Sequence, residues 1–228
     1  LEVEVIIFDD FPDSKSPDSI FPNNWISTHE NGLLCTYPMM VENRRKERRS
    51  DIVDFLIKKY NYNYFDLSES ETFDSPEFLE GTGSMIFDHV ARKIYGAISP
   101  RTNLNQLTQF ADKIGYSIIS FEAFGKQNEA IYHTNVMLAI GDEFAVIGLV
   151  TIKPEQVEMV ITSLLSDKKE LIELTNEQVY NHFAGNMLQV KNRNQERIIV
   201  MSESAYNSLT TMQLAQLEKH NDIILHVE

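Results

Sequence analysis

The feature that most constrains this chain is an order of secondary-structure patterns that returns four times. Alternating apolar patterns predict pairs of strands whose first members start near residues 24, 84, 133 and 186. A helical pattern and a third strand pattern follow each pair. Because one such unit cannot bury its own apolar face, the repetition predicts a modular array of strand–strand–helix–strand (ββαβ) units. Closing the array into a ring would remove its free sheet edges.

Apolar spacing and capping residues locate the individual elements. Strands are predicted over residues 24–29, 33–37, 62–67, 84–88, 93–98, 116–121, 133–140, 144–149, 170–174, 186–190, 197–201 and 222–227. Helices are predicted over residues 47–60 and 104–114, from Pro154 onward, over 177–183 and from Thr210 onward. Gly115 is typical of a helix C-terminus, and Thr210 with Gln213 of a capping box.

Both ends of the sequence fall inside strand-like runs. Residues 3–8 are interpreted as the last strand of a fifth unit, and residues 223–228 are again strand-like. Leu1 is not a start methionine, and no signal peptide is visible. We therefore expect residues 1–228 to form a single domain that lacks part of its fifth unit at both ends and belongs to a longer protein.

Composition excludes several classes of protein. Lys and Arg number 20 and Asp and Glu 34, a net charge of −14 that repels phosphate backbones, so no nucleic-acid partner is expected. No apolar run reaches the roughly 18 residues of a membrane helix, so no membrane association is expected. The single cysteine excludes an internal disulfide and fits a reducing compartment, which predicts a cytoplasmic location. The six histidines form no metal-binding motif, and no metal is expected.

Polar residues that could take part in catalysis lie at the start of the first predicted strand of three units. Asn23 and Asn24 open the first strand of one unit, Glu80 precedes that of the next, and His133 with Asn135 opens the third. If the units surround an axis, these positions converge. A carboxylate, an imidazole and several amides would then share one cleft, which is the material of general acid–base chemistry.

Five motifs come in a familiar order along the whole chain. They are DSIFPNNW (residues 18–25), NRRKER (43–48), LEGTG (79–83), SPRT (99–102) and IYHTN (131–135). Together they resemble the guanidino-modifying, amidinotransferase-like pentein superfamily, most closely its citrulline-utilisation hydrolases and more distantly arginine deiminases and dimethylarginine dimethylaminohydrolases. The resemblance implies an α/β propeller of ββαβ units around a pseudo-five-fold axis, of which four units are complete here.

The resemblance also implies roles for individual residues. His133 matches the family's general acid/base, and Glu80 matches the carboxylate that grips the guanidino or ureido nitrogens. The substrate-binding positions match Asp18 for the α-amino group, Arg44 and Arg101 for the α-carboxylate, Phe21 as a wall of the site and Asn24 in its lining. Thiol chemistry with a histidine implies no cofactor. The implied partner is a small ureido or guanidino molecule, and a homodimer is compatible.

Two departures from the family pattern bear on function. Relatives that act on guanidines place carboxylates where Asn23 and Asn24 stand, and often one where Asn135 stands. Amides make the pocket less anionic, so a neutral ureido group loses less attraction than a guanidinium would. We therefore expect a hydrolase of the C–N bonds of a ureido amino acid such as citrulline, with arginine-like substrates second.

The second departure concerns the nucleophile. The family's cysteine lies near its C-terminus, whereas the only cysteine here, Cys35, falls in a predicted strand and is expected to be an inert core thiol. The expected nucleophile therefore lies outside these residues, and the visible chain is expected to be inactive without it. Two alternatives stay open: an amidinotransferase on the same scaffold, and a non-catalytic pentein-fold binding protein.

Overall fold

Each predicted unit forms its own three-stranded sheet. The computed structural model describes residues 5–11 and 14–227. The strands there are β1 (Ile26–Thr28), β2 (Leu33–Thr36), β3 (Asn63–Asp66), β4 (Ile86–Asp88), β5 (Lys93–Ala97), β6 (Ser117–Phe121), β7 (Leu138–Ile140), β8 (Phe144–Ile147), β9 (Glu170–Glu173), β10 (Leu188–Lys191), β11 (Arg197–Ser202) and β12 (Ile223–Val227). In every sheet the first two strands pair antiparallel and the middle strand pairs parallel with the third.

Eight α-helices lie between the strands of the described residues. They are α1 (Glu42–Arg45), α2 (Ser50–Tyr60), α3 (Gly81–Ser84), α4 (Leu104–Ile114), α5 (Pro154–Ser166), α6 (Asn176–His182), α7 (Glu203–Ser208) and α8 (Thr211–His220). A parallel pair needs such a crossover, and α2, α4, α5 and α8 each lie between the two parallel strands of their sheet. The prediction of four complete ββαβ units is confirmed.

The second unit shows how local signals fix an element. The side chain of Asn103 accepts hydrogen bonds from the first backbone N–H groups of α4. Gly115 ends the helix in the left-handed region, at φ +70°, as its C-terminal position requires. The apolar face between these caps is buried and comprises Leu107, Phe110, Ala111 and Ile114. The predicted bounds of this helix are therefore those observed.

The first strands of the units begin later than predicted. Short helical turns come before them: a 3-10 turn over Pro22–Asn24, the one-turn helix α3, and a 3-10 turn over Thr134–Val136. We call these three segments, together with residues 183–186 before β10, the entry segments. The chain turns in these segments before it joins a sheet. The polar residues of the motifs therefore lie just before the first strand of each sheet.

Two other predictions need correction. The helix predicted over residues 47–60 is α2 and begins only at Ser50, because Arg49 takes an extended conformation before it. The short helix α1 precedes the predicted range and was not predicted. The strand predicted over residues 3–8 lies partly outside the described residues, and residues 5–8 form no strand. No strand lies beside them in the described part of the chain to satisfy their backbone groups.

Buried polar contacts join neighbouring units. Thr134, with no exposed surface, donates its hydroxyl to the carbonyl of Ser84 at 2.6 Å and accepts the N–H of Ala97 at 2.8 Å. The Lys169 ammonium is equally buried and lies 3.0 Å from Asp88 Oδ1. The first of these contacts fixes the third unit's entry segment against the second unit's, and so fixes the residues that those segments carry.

Among the residues described, no helix is both long and apolar enough to cross a bilayer.

Candidate active site

The second and third units contribute a buried carboxylate–imidazole pair. Glu80 comes directly before α3, and His133 directly before the 3-10 turn of the third entry segment. Nε2 of His133 lies 2.7 Å from Oε2 of Glu80, and both side chains are buried. A hydrogen bond to a charged partner at this distance is among the stronger ones in proteins and orients the imidazole ring. The pair brings together the two residues that the sequence singled out for catalysis.

Glu80 is held in its charged form by its surroundings. Burial acts to raise the pKa of Glu80, but the hydrogen bond and charge of His133, the charge of Arg101 and the backbone N–H of Met40 together lower it below its usual range. Met40 N–H donates to Oε1 at 3.1 Å, and Arg101 donates to Oε2 at 3.3 Å. Both oxygens are therefore occupied by the protein. Glu80 has no exposed surface and lies directly against the His133 ring.

Gly83 makes room for the imidazole. A Cβ atom on Gly83 would lie 2.8 Å from Oδ1 of Asn24 and 2.9 Å from Nδ1 of His133, closer than such contacts are tolerated. Gly83 therefore leaves space for Asn24 of the first unit and His133 of the third unit beside the backbone of the second unit. Because Nε2 faces Glu80, it is the Nδ1 side of the ring that lies beside Gly83 and Asn24.

We expect Gly83→Ala to lower kcat by about 100-fold, because an added methyl group must displace His133 or Asn24 and misplacements of about 1 Å cost that much. Gly32→Asn is the control, since Gly32 has φ +78° and no atom within 4 Å of an added Cβ, and asparagine tolerates that conformation. Steady-state kinetics and a thermal melt of both variants check this. Wild-type kcat in Gly83→Ala would contradict the packing argument.

The imidazole opens onto a cavity of about 690 Å³. The residues predicted for the site that line it are Asp18, Phe21, Asn24, Arg44, Arg101 and His133. Asn23 and Asn135, the two other amides noted in the sequence, line it as well. The structure thus brings six of the seven predicted site residues to one cavity, with Glu80 directly behind it.

Arg44 faces this cavity from a buried position. Its Nε and Nη2 donate to the two carboxylate oxygens of Glu47 at 3.0 and 2.9 Å, a bidentate pair, and the remaining Nη1 lies 4.0 Å from Glu80. Burial acts to lower the pKa of Arg44, but the bond to Glu47 and the nearby carboxylates raise it. The carboxylate of Asp18, about half exposed at the rim, is 3.8 Å from Nε.

Arg101 binds Oε2 of Glu80, whereas Met40 binds Oε1. Besides its bond to Glu80, its guanidinium sits over the ring of Tyr132 at 4.8 Å from the ring centre, a favourable cation–π arrangement. About a quarter of its side chain is exposed. Arg101 therefore keeps donors available to an anionic group in the cavity, while Arg44 is more firmly committed to protein partners.

Amides rather than carboxylates form the floor beside His133. Asn24 is buried, and its Oδ1 accepts a hydrogen bond from Asn23 at 3.3 Å. Asn23 also donates to the hydroxyl of Thr82 at 3.1 Å. An amide can both donate and accept, so this floor can bind the carbonyl oxygen as well as the N–H groups of a neutral ureido group.

Cys35 does not take part in this site. It lies in β2 without exposed surface, and burial, its largest influence, raises the pKa of its thiol far above the usual range. A thiol that stays protonated is a poor nucleophile. In the described residues, no group of three or more His, Cys, Asp or Glu side chains is arranged to hold a metal ion.

Four cavity residues have no role in the sequence prediction: Tyr132, Val136, Phe183 and Asn186. Tyr132 lies within the IYHTN motif and Val136 directly follows it, so their proximity to the site follows from position alone. Phe183 and Asn186 belong to the fourth entry segment. The repeat register could have indicated them, because the three earlier entry segments all reach the same place.

Comparisons with known proteins show which family and which fold this chain shares. The family model described as N,N dimethylarginine dimethylhydrolase, eukaryotic, matches residues 1–227. No curated protein sequence matches this chain.

Solved structures share the fold at low sequence identity. A mutant N-terminal domain of ArgZ bound to substrate, from an arginine dihydrolase of the Ornithine-Ammonia Cycle in Cyanobacteria, superposes with a TM-score of 0.70 and 14% identity, over 92% of this chain and 69% of that chain. AgrE in complex with ornithine and NAD⁺ gives 0.70 and 15%, over 93% of this chain and 28% of that chain. A dimethylarginine dimethylaminohydrolase adduct with 4-chloro-2-hydroxymethylpyridine gives 0.60 and 20%, over 93% and 72%.

Proposed function

This chain belongs to the eukaryotic N,N dimethylarginine dimethylhydrolase family, within the pentein superfamily, and on that premise we propose that it hydrolyses a C–N bond of a ureido amino acid, with citrulline preferred over arginine. The observation that carries the proposal is the buried Glu80–His133 pair, 2.7 Å apart, at a cavity with two arginines and one aspartate. The motifs resemble this matching family less closely than they resemble the citrulline-utilisation hydrolases. The proposed substrate therefore rests on the residues that line the cavity.

The four units are, in this proposal, blades of a propeller around a pseudo-five-fold axis, and the cavity lies on that axis. Convergence of the entry segments supports it, because equivalent positions of successive units meet at one place only if the units surround it. The reaction needs a thiolate and no cofactor, which suits a reducing compartment such as the cytoplasm. A homodimer is compatible with this arrangement and is not required by it.

The amino-acid end of the substrate has complementary partners at the rim. Asp18 accepts hydrogen bonds from the α-ammonium group, and the free donors of Arg101, with Nη1 of Arg44, bind the α-carboxylate. A planar guanidinium matches a carboxylate in geometry as well as charge. The bond between Arg44 and Glu47 holds the first arginine in place for this task. Phe21, half exposed on the wall, packs against the substrate's methylene groups.

The substrate preference follows from the charges near His133. Glu80 is the nearest carboxylate, and His133 and Arg101 already neutralise it. The amide floor itself adds no carboxylate, so a guanidinium placed there would leave water without gaining a charged partner, and burying an unpaired charge is costly. A ureido group carries no charge and avoids this cost.

The chemistry has two halves. A cysteine thiolate outside these 228 residues attacks the ureido carbon, and the bond to the terminal nitrogen breaks as His133 donates a proton, so that ammonia leaves. His133 then takes a proton from water, which attacks the thioester-like carbonyl and returns the thiolate. The alkyl carbamate that forms loses CO₂ and leaves the free amine. Glu80 acts through His133 as a positioning residue.

The test is a pair of activity measurements on the natural full-length protein that contains these residues. We expect a higher kcat/KM for citrulline than for arginine, and we expect Asn24→Asp to raise the arginine-to-citrulline ratio at least tenfold, because it places a carboxylate on the floor. Asn61→Asp, the same change at the distant end of α2, is the control. An arginine preference in the wild type would overturn the citrulline assignment, and binding without turnover would favour the non-catalytic alternative.

A further inference from the structure

The fourth unit also reaches the cavity. In the three earlier units, the entry segment or the residue before it supplies Asn24, Glu80 and His133. The fourth entry segment, residues 183–186, comes between α6 and β10 and places Phe183 and Asn186 on the same cavity. The reaction described above uses neither of them.

Phe183 is held in a backbone conformation that aromatic residues rarely adopt. It follows the last residue of α6 at φ +49° and ψ +36°, in the left-handed region where glycine is the usual residue after a helix. Its ring is half exposed to the cavity. Neither feature favours folding, and strained backbone in a residue other than glycine concentrates at functional sites.

The turn that carries Phe183 is fixed rather than free. The N–H of Asn186 donates to the carbonyl of Phe183 at 2.8 Å. A Cβ atom on Gly185 would lie 2.7 Å from the backbone of Met137 and from the carbonyl oxygen of Val136. The fourth entry segment therefore packs directly on the third, which follows His133, and the backbone that carries the Phe183 ring has a defined place on the cavity.

We infer that Phe183 determines specificity: its ring contacts the methylene chain of the substrate together with Phe21 and so selects the length of that chain. The inference rests on the function proposed above and deepens it. Most other cavity residues are amides or charged groups, and the ring of Tyr132 is covered by Arg101. The methylene groups between the ureido group and the α-carbon need apolar partners. Val136 offers a small apolar side chain, and the two phenylalanines supply the large apolar surfaces.

The test compares Phe183→Gly with the wild type on citrulline and on its homologues with one methylene fewer and one more. One methylene in an apolar pocket discriminates about 10- to 200-fold. We expect the wild-type kcat/KM for citrulline to exceed that for either homologue by a factor within that range. In the variant this factor should fall at least tenfold, mainly through a higher KM for citrulline. We also expect its melting temperature to be unchanged or higher by up to about 4 °C, since glycine relieves the backbone strain.

Lys168→Gly is the matched control. Lys168 is exposed, follows the end of α5 and has φ +62°, so the change relieves the same kind of strain away from the cavity. Its kinetics should stay at wild-type values. Wild-type discrimination in Phe183→Gly would overturn this inference while leaving the proposed function intact. A wild type that neither binds nor turns over any ureido amino acid would overturn both.

Discussion

His133→Asn removes turnover almost completely: we expect kcat to fall by about 10³-fold or more, while KM for citrulline changes little. In the proposed reaction the imidazole serves both halves, as acid for the leaving nitrogen and as base for water, and a positioned general acid or base contributes about 10²- to 10⁴-fold in one step. Asparagine keeps a hydrogen-bonding group beside Glu80 but transfers no proton near neutral pH.

The matched control for this variant is His226→Asn, because His226 is exposed in β12 and stacks on Tyr206 outside the cavity. Steady-state kinetics of both variants, with circular dichroism to confirm folding, decide the question. If His133→Asn keeps more than a tenth of wild-type kcat, His133 is not the proton-transfer group and the mechanism above is wrong.

Glu80→Gln has the second largest effect, and it acts on activity and stability together. The glutamine amide leaves His133 without a charged partner. The NH₂ group of the amide must also face a hydrogen-bond donor, either the Met40 N–H or the Arg101 guanidinium. We expect kcat to fall by about 100-fold, the pH–rate profile to shift, and KM to change less than kcat. The free energy of unfolding should fall by about 3 kcal/mol at pH 7, as is typical when one member of a buried ion pair is removed.

The stability effect has a defined pH dependence. Because the folded protein lowers the pKa of Glu80, its charge stabilises the fold above the ordinary carboxyl pKa of 4.5, and that stabilisation is lost as the pH falls through the lower folded value. The gap between wild type and Glu80→Gln should therefore be full at pH 7 and narrow below pH 4.5. Urea unfolding at both pH values measures it, and a gap that does not change with pH would contradict the lowered pKa.

Asp88→Asn provides the matched control for Glu80→Gln. Asp88 is as buried as Glu80 and pairs with a cation, Lys169, but lies outside the cavity. We expect it to destabilise the fold similarly while kcat of the folded protein stays near the wild-type value. Equal losses of kcat in the two variants would mean that Glu80 matters for folding alone.

The fold was predictable where the signals are local. Helix α4 has its capping side chain and its terminal glycine within its own sequence, so its bounds follow from neighbouring residues. The non-helical residues between α1 and α2 are not signalled by their own sequence neighbours. Arg48 there binds Glu71, 23 residues further along, and no pattern within the helix announces such a partner.

The same distinction between local and long-range signals applies to the candidate site. The motifs identified the residues that surround the cavity, but not what each of them contacts. The resemblance implied that Glu80 binds the substrate nitrogens, but it did not indicate that the carboxylate is buried and bonded to His133 and Arg101. The repeat register could have indicated the position of Phe183 but not its left-handed backbone, which is set by packing, in this case of Gly185 against the third unit.

The central claim is the hydrolysis of a ureido C–N bond. Its most direct test is product analysis by mass spectrometry after the natural full-length protein is given citrulline, arginine and dimethylarginine at equal concentrations. We predict that citrulline is consumed first and that ornithine, ammonia and CO₂ appear in equal amounts. Consumption of arginine or dimethylarginine ahead of citrulline, with citrulline accumulating as product, would contradict the assignment.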